Sequence, residues 1–174
     1  ELEGLSLSAT PSMLYWIAME PTLAAKQDHL LAALREMGSV VVAFSGASDP
    51  KFGVEGVGPL AYSTSNASQS QGQVMAEWAF KEKGWKTAYV LLDNTIAYTK
   101  SLCASFAERW KKVAGEEALL GEDTFLNSDT SIAAQITRIT SLPEQPDVIF
   151  FCSYAPGGPS AIRQMRAAGI DSAI

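Results

Sequence analysis

Short apolar runs alternate with amphipathic helical segments along most of this 174-residue chain, and no other feature limits its fold as strongly. The apolar runs have the length of strands and read as continuous rather than alternating, which is typical of strands buried on both faces of a parallel sheet. From Trp85 onward the strand and helix units recur about every 30 residues, the βα period of an open doubly wound sheet. The pattern therefore predicts an α/β fold built on parallel sheets.

The predicted elements begin near residue 20, because residues 1–19 show no decisive period and cannot be placed. Helices are expected over Pro21–Met37, Gln69–Lys83, Tyr98–Val113, a segment from the N-cap residue Asp129 to a point before Pro143, and Ser160–Ala168. Strands are expected over Val40–Phe44, Pro59–Thr64, Thr87–Leu92, Leu119–Phe125 and Asp147–Cys152. In the second helix Val74, Trp78 and Ala79 lie near helical spacing.

The order of these elements predicts two lobes. Residues 1–64 are expected to form part of a first α/β lobe. Residues 65–174 are expected to form a second lobe, which is the more completely represented of the two. This second lobe is expected to be incomplete at its C-terminus, because the chain ends where the alternation predicts another strand.

Composition excludes several classes of protein. With 47% hydrophobic and 18% charged residues, the chain is not of the disordered type. Its net charge of −6 removes the electrostatic attraction on which sequence-independent phosphate binding depends, so nucleic acid is not expected as a partner. No apolar run reaches the roughly 18 residues that a membrane span needs.

The two cysteines, Cys103 and Cys152, lack CxxC spacing. Both lie in apolar segments, where a buried free thiol is the more common state, so free thiols are expected while a disulfide stays possible. The single histidine, His29, adjoins Asp28 on a predicted helix and is expected on a solvated face. Because soft ligands are so few, neither a zinc site nor another metal site is expected.

Glycines also give no sign of a cofactor. Gly53, Gly56 and Gly58 follow a GxxGxG order rather than the GxGxxG order of dinucleotide-binding turns. The pair Gly157 and Gly158 is expected to serve a tight strand-to-helix turn more than an anion site. No cofactor is therefore predicted.

Three loops follow the carboxyl ends of predicted strands, where open α/β sheets bind their ligands. These loops are Ser45–Pro50, Asp93–Thr99 and Ser153–Gly158. They offer hydroxyl groups, backbone amides and the rings of Tyr98 and Tyr154, which suit a small polar molecule. Three residues of these loops also have a purely structural interpretation. Ser48 could be a turn residue near a proline, Tyr98 a helix residue that packs on the loop, and Tyr154 a rim residue that contacts no ligand.

Four motifs occur in order over residues 38–174. They are FSGASDP at 44–50, SQSQG at 68–72, LLDN at 91–94 followed by Tyr98, and DVIF at 147–150 followed by IRQMRAAG at 162–169. Together they resemble the type I periplasmic solute-binding proteins of the leucine/isoleucine/valine class, which serve ABC importers. Thr99 departs from the family, which usually has glycine there, and residues 1–20 do not resemble its first strands. A complete member is about twice as long, so the chain resembles a fragment.

The resemblance implies a fold and a function. The fold would be the type I periplasmic-binding-protein fold, with parallel doubly wound sheets in two lobes that close on a ligand without performing chemistry. The function would be extracytoplasmic solute binding for an ABC importer, with an amino acid, branched-chain or similar, or a related small carboxylate as ligand. The implied partner is the membrane permease, and the implied location is periplasmic or extracellular, with a lipid anchor as one option.

The resemblance also assigns roles to four residues in the cleft between the lobes. Gly46 would offer its carbonyl to a ligand ammonium, and Ser48 its hydroxyl and N–H to a carboxylate. Tyr98 and Tyr154 would cover the ligand side chain from the second lobe. The ligand itself is not fixed by these residues.

Two other functions stay open at this point. A ligand-sensing domain of a receptor or regulator would have the same fold and a different output. An enzyme on a flavodoxin-like scaffold would be indicated by a bound nucleotide or flavin. A hydrolase is disfavoured, because Ser45 and Ser48 lack the G-x-S-x-G arrangement.

Overall fold

The computed structural model describes residues 65–174, the strand segments 14–18, 41–45 and 61–63, and residues 54 and 59. The chain divides into two compact units, Glu1–Ala67 and Ser68–Ile174. The expected lobe boundary between residues 64 and 65 stays a prediction. The predicted helix Pro21–Met37, His29 and the glycines of the GxxGxG segment lie outside the described residues.

The first unit contains a parallel sheet of three described strands. They are β1 (Leu14–Ala18), β2 (Val41–Ser45) and β3 (Ala61–Ser63), in the order β1-β2-β3. Tyr15 is in register with Val42, and Val42 with Ala61. The strands predicted at 40–44 and 59–64 are confirmed. The failure to place residues 1–19 is corrected by β1: a strand in a parallel sheet needs no alternation of apolar and polar residues, so its sequence shows no decisive period.

The second unit is built on a parallel sheet with the order β5-β4-β6. Its strands are β4 (Ala88–Asp93), β5 (Leu119–Phe125) and β6 (Val148–Cys152). Along the central strand β4, Ala88 and Val90 point into one hydrophobic core while Tyr89 and Leu91 point into another. Burial on both faces explains why this strand reads as a continuous apolar run.

Helices cover both faces of this sheet, which confirms the doubly wound α/β prediction. They are α1 (Ser68–Lys81), α2 (Ala97–Ala114), α3 (Ala133–Thr140) and α4 (Gly157–Ala167), with a 3₁₀ turn at Glu116–Ala118. The first core joins α1 and α2 to the sheet around Phe106 and Trp110. The second core joins α3 and α4 to the opposite face around Ile139 and Met165.

The buried face of α1 differs from the apolar positions noted in its sequence. Val74 and Trp78 are 65% and 39% exposed, and only Ala79 of the three is buried. The buried residues are all small: Ser68, Gly72, Ala76 and Ala79. The cause is the closeness of α2, since a Cβ added to Gly72 would lie only 2.4 Å from the carbonyl oxygen of Leu102.

Cys103 of α2 and Cys152 of β6 form a disulfide, with their Cα atoms 6.7 Å apart. The prediction of free thiols is therefore wrong. Both residues lie in the first core, where α2 packs on the face of β6. Spacing along the sequence does not reveal that helix-on-strand contact, which brings the two sulfur atoms together.

Helix α4 begins at Gly157, three residues before the predicted start at Ser160. Its first turn includes Pro159, which needs no N–H partner there. The predicted C-terminal glycine is confirmed, because Gly169 directly follows the C-cap residue Ala168 and has a positive φ of 78°. The glycine at the C-terminal end of α4 is thus predictable from sequence. The start of α4 was missed, because it lies inside a Gly/Pro segment.

The N-cap predicted for α3 is also wrong. The helix begins at Ala133 after Ile132, whereas Asp129 lies in the preceding turn and its carboxylate accepts the N–H of Leu126 at 2.8 Å. Aspartate favours such turns for the same reason that it favours N-caps, because its side-chain oxygen accepts nearby backbone N–H groups.

Candidate functional site

The carboxyl ends of all three strands meet at one edge of the second sheet. Asp93 ends β4, Phe125 ends β5 and Cys152 ends β6, and the N–H of Asn94 donates to the carbonyl of Phe125 at 2.9 Å. Two of the predicted ligand loops, at 93–99 and 153–158, therefore begin side by side. In the third loop, Gly46 and Ser48 lie outside the described residues.

Asp93 links the segments at this edge through four hydrogen bonds to its carboxylate. Oδ1 accepts the N–H and the hydroxyl of Thr95 at 2.9 and 2.6 Å. Oδ2 accepts the amide of Asn127 at 2.7 Å and the hydroxyl of Ser153 at 3.2 Å. We call Asp93, Thr95, Asn127 and Ser153 the Asp93 cluster. It joins the residues that follow β4, β5 and β6.

The charge of Asp93 is maintained by hydrogen bonds rather than by a cation. Burial by itself raises the pKa of this carboxyl, since the side chain is only 1% exposed. The bonds from Thr95, Asn127 and Ser153 outweigh that effect and hold the pKa below its ordinary value. Asp93 is therefore ionised at neutral pH, and within residues 65–174 it has no ion-pair partner.

Asn127 also fixes the backbone of the loop that carries Tyr154. Its amide donates to the carbonyl of Tyr154 at 3.0 Å. A Cβ added to Gly157 would lie 2.6 Å from the carbonyl oxygen of Asn127, so only glycine lets the two segments approach this closely. The intervening Ala155–Pro156 peptide bond is cis. The tight-turn interpretation of this glycine agrees with the packing.

Thr99 holds the first turn of α2 against the end of β4. The side chain is 1% exposed, and its hydroxyl contacts the carbonyl oxygens of Asp93 and Ile96. The departure from the family motif noted at this position thus places a buried hydroxyl beside the Asp93 cluster. Its effect is to fix the residue before it, Tyr98.

Tyr98 and Tyr154, which we call the tyrosine pair, lie together at this edge. Their ring centroids are 5.9 Å apart and the rings are tilted by 54°. The Tyr98 hydroxyl donates to Oε1 of Gln71 at 3.1 Å, whereas Tyr154 is 37% exposed. Burial raises the pKa of both phenols, with the nearby Tyr98 and Asp93 adding to the effect on Tyr154. Both residues are therefore neutral hydrogen-bonding groups at physiological pH.

This arrangement is suited to binding rather than to reaction. It offers an aromatic surface with two phenol oxygens on a rigid support, and such surfaces bury ligand area at a small entropic cost. Among the described residues, no three or more His, Cys, Asp or Glu side chains are grouped so that they could hold a metal ion. Likewise, no helix in the part of the chain that the structure describes is long and apolar enough to cross a membrane.

The structure brings the two predicted tyrosines together, and their role in ligand binding stays a prediction. The residues that hold them in place were not predicted. Asp93 was visible as a carboxylate directly after a buried strand, a position that often carries a structural or functional group. Asn127 gave no signal, because it follows β5 in an ordinary polar turn. Gln71 was quoted only as part of a motif, and its contact with Tyr98 depends on how α1 packs on α2.

A comparison with family profiles decides the relationship of this chain to known proteins. The profile described as periplasmic binding protein matches residues 18–174. The chain belongs to the periplasmic binding protein family. This family consists of solute-binding proteins rather than enzymes, and the match covers most of both units of the chain.

Solved structures of other periplasmic binding proteins share its fold. A leucine binding protein, LivK, from Thermotoga maritima is 21% identical with a TM-score of 0.68, and the match covers 82% of this chain and 38% of that one. The branched-chain amino acid transporter substrate binding protein LivJ from Streptococcus pneumoniae, in complex with isoleucine, is 22% identical with a TM-score of 0.68, covering 93% and 42%. An ABC transporter solute binding protein from R. palustris, in complex with benzoate, is 18% identical with a TM-score of 0.68, covering 93% and 42%.

These likenesses confirm the type I periplasmic binding protein fold, and the profile match confirms the resemblance to periplasmic solute-binding proteins. The chain spans only 38% to 42% of the length of these three structures. No curated protein sequence matches the chain.

Proposed function

We propose that this chain is part of an extracytoplasmic solute-binding protein of an ABC importer, and that it binds an amino acid or a related small carboxylate. Membership of the periplasmic binding protein family supports the class. Two structural neighbours hold ligands of this size, isoleucine and benzoate. The observation that carries the proposal is the tyrosine pair, set at the carboxyl edge of the sheet by the Asp93 cluster.

In this proposal the tyrosine pair forms the second unit's part of the ligand site. The rings cover the ligand side chain, and their rigid support limits the entropy lost on binding. Gly46 and Ser48 of the first unit supply the carbonyl for an ammonium and the hydroxyl and N–H for a carboxylate. Hydrogen bonds to a charged ligand group each contribute about 1.5–3 kcal/mol, and the aromatic contact with the tyrosine pair adds to them.

The proposed partner is the membrane permease of the importer, and the proposed location is outside the cytoplasm. The Cys103–Cys152 disulfide supports this location, because disulfides persist in oxidising compartments and are rare in the cytosol. A lipid anchor in the full-length protein remains part of the proposal. A ligand-sensing role with the same fold would differ in the partner that receives the signal.

Calorimetric titration of the intact protein with the twenty amino acids, benzoate and 4-hydroxybenzoate tests the proposal. We expect one chemical family to bind. We also expect Tyr98→Ala and Tyr154→Ala to weaken that binding by about tenfold or more, since each removes roughly 1.5–3 kcal/mol of buried aromatic contact. Ser48→Ala should have a similar effect.

Val74→Ala serves as the matched control, because Val74 is an exposed apolar residue on the outer face of α1. This variant should bind like the wild type. Absence of binding to every acid in the panel would overturn the proposal, particularly if a nucleotide or flavin bound instead. Binding that is unchanged in both tyrosine variants would remove the tyrosine pair from the ligand site.

A further inference from the structure

The two phenols of the tyrosine pair have different hydrogen-bonding states. A tyrosine hydroxyl carries one proton to donate and lone pairs to accept. The proton of Tyr98 is directed to Oε1 of Gln71 at 3.1 Å. The hydroxyl of Tyr154 makes no hydrogen bond to any residue in the stretch 65–174. Toward a ligand, Tyr98 is therefore an acceptor, while Tyr154 can donate or accept.

The contact between Gln71 and Tyr98 is fixed by the packing of α1 on α2. The next residue, Gly72, lies so close to α2 that an added Cβ would be 2.2 Å from the hydroxyl oxygen of Ser105. One turn earlier, the hydroxyls of Ser68 and Ser101 share a hydrogen bond of 2.8 Å. These two contacts set the register of the helices, and with it the position of the Gln71 amide beside Tyr98.

We propose that Gln71 is a positioning residue that determines ligand selectivity. It accepts the hydroxyl proton of Tyr98 in a hydrogen bond, so that Tyr98 presents only acceptor lone pairs to the ligand. This inference rests on the function proposed above. A ligand whose side chain carries a donor near Tyr98, such as an amide NH₂, is favoured by such an oxygen. A ligand whose side chain places only carboxylate oxygens there is disfavoured, because two acceptors face each other without a proton between them.

The selectivity test uses two amino acids of nearly equal shape that differ only at the end of the side chain, glutamine with an amide and glutamate with a carboxylate. Gln71→Met keeps the length and volume of the side chain while removing the acceptor. Because the Tyr98 proton is then free to reach a side-chain carboxylate, we expect the affinity for glutamate relative to glutamine to rise about tenfold, the equivalent of roughly 1.4 kcal/mol. Gln71→Glu retains an acceptor oxygen and should leave the preference for glutamine in place.

Gln73→Met is the matched control, because Gln73 lies on the same helix with an exposed side chain. It should leave the affinity ratio unchanged. A loss of affinity for both probes by the same factor in Gln71→Met would overturn the proposal, because it would show a structural role only. An unchanged ratio would overturn it as well.

A second measurement separates this inference from the proposed function, because it needs no ligand. In protein labelled with ¹³C at the ζ carbon of tyrosine, the Tyr98 resonance is assigned by its loss in Tyr98→Phe. We expect this resonance to shift in Gln71→Met and to stay in place in Gln73→Met. If it does not shift, the proposal fails even where the acids bind. If it shifts while neither probe binds the wild type, the failure lies in the proposed function, and the selectivity role is overturned with it.

Discussion

Asp93 carries a negative charge that is almost completely removed from solvent. Its stability depends on donors from three different segments, since Thr95 follows β4, Asn127 follows β5 and Ser153 follows β6. A buried charge that loses such partners is costly because it has no water to replace them. The Asp93 cluster is therefore the residue-scale feature on which the geometry of the tyrosine pair depends.

Replacing this carboxylate by an amide should destabilise the protein. In Asp93→Asn an NH₂ group replaces one of the two oxygens, and at least one buried donor then faces another donor. We expect the free energy of unfolding to fall by about 3 kcal/mol, since each unsatisfied buried group costs about 1–3 kcal/mol. Urea unfolding measures this loss. The control is Asp171→Asn, an exposed carboxylate whose change should stay within about 0.5 kcal/mol.

The same carboxylate predicts how stability depends on pH. The pKa of Asp93 is lowered on folding, whereas the unfolded chain has an aspartate pKa of about 3.9. The unfolded state therefore binds more protons between these two values, and the stability that Asp93 provides is lost as the pH falls through this window. Urea unfolding between pH 7 and pH 2 measures this effect. The difference in free energy of unfolding between wild type and Asp93→Asn should stay constant above about pH 5 and become smaller below about pH 4. A difference that stays constant down to pH 2 would contradict this assignment.

At the scale of elements, α1 and α2 are joined by an interface of small residues. Gly72 is the tightest point, because a Cβ there would lie 2.4 Å from the carbonyl of Leu102 and 2.8 Å from the backbone nitrogen of Phe106. Neither atom belongs to a side chain that could turn away. The helices would have to separate to admit a methyl group, which would also loosen the contact between Gln71 and Tyr98.

Gly72→Ala should therefore destabilise the protein although alanine favours helices by about 1 kcal/mol over glycine. Overpacking at a close contact costs roughly 1–3 kcal/mol, and two backbone atoms place this site at the upper end. We expect a net loss of about 2 kcal/mol in chemical unfolding. Gln73→Ala, on the exposed face of the same helix, should be neutral or slightly stabilising.

Adding Ser105→Ala to Gly72→Ala shows whether the Ser105 hydroxyl or the backbone of α2 causes the loss of stability. The serine hydroxyl is only one of three close neighbours, so its removal should restore little of the lost stability. Full recovery in the double variant would show that the hydroxyl, rather than the backbone of α2, limits the space.

Most elements of the second unit could be predicted from sequence because their periodicity is local. Strand β5 was predicted with its observed ends at Leu119 and Phe125, and Gly169 was recognised as the end of α4. Two misses are local, the N-cap of α3 and the start of α4, while the others involve contacts between distant segments. The small buried face of α1 depends on the approach of α2, and the role of Asn127 depends on the positions of Asp93 and Tyr154. No window of sequence contains such information.

At the scale of the molecule, one covalent link crosses the first core. The Cys103–Cys152 disulfide joins α2 to β6 across 49 residues of chain. Both segments adjoin the tyrosine pair, since Tyr98 is the second residue of α2 and Tyr154 follows β6 by two residues. The sequence left this link open, because the buried position of each cysteine is compatible with a thiol or with a disulfide.

Replacing both cysteines by alanine should lower the free energy of unfolding by about 2–4 kcal/mol. Closing a loop of this length restricts the unfolded chain by an amount that chain-entropy estimates place near 4 kcal/mol. Chemical unfolding of Cys103→Ala/Cys152→Ala measures the loss, and wild type unfolded and refolded under reducing conditions is the matched control. Equal stability of the variant and the oxidised wild type would contradict a stabilising role for the link.

The Asp93 cluster also has a consequence for how the chain reaches its fold. Two of its four donors come from residues 34 and 60 positions away along the chain, so the carboxylate is fully satisfied only when β5 and β6 lie on either side of β4. A misregistered or wrongly ordered sheet would bury the same charge without its donors. The native strand order is thus lower in energy than other compact arrangements of the same strands. A sheet edge with only apolar residues in place of the Asp93 cluster would not provide this energy gap.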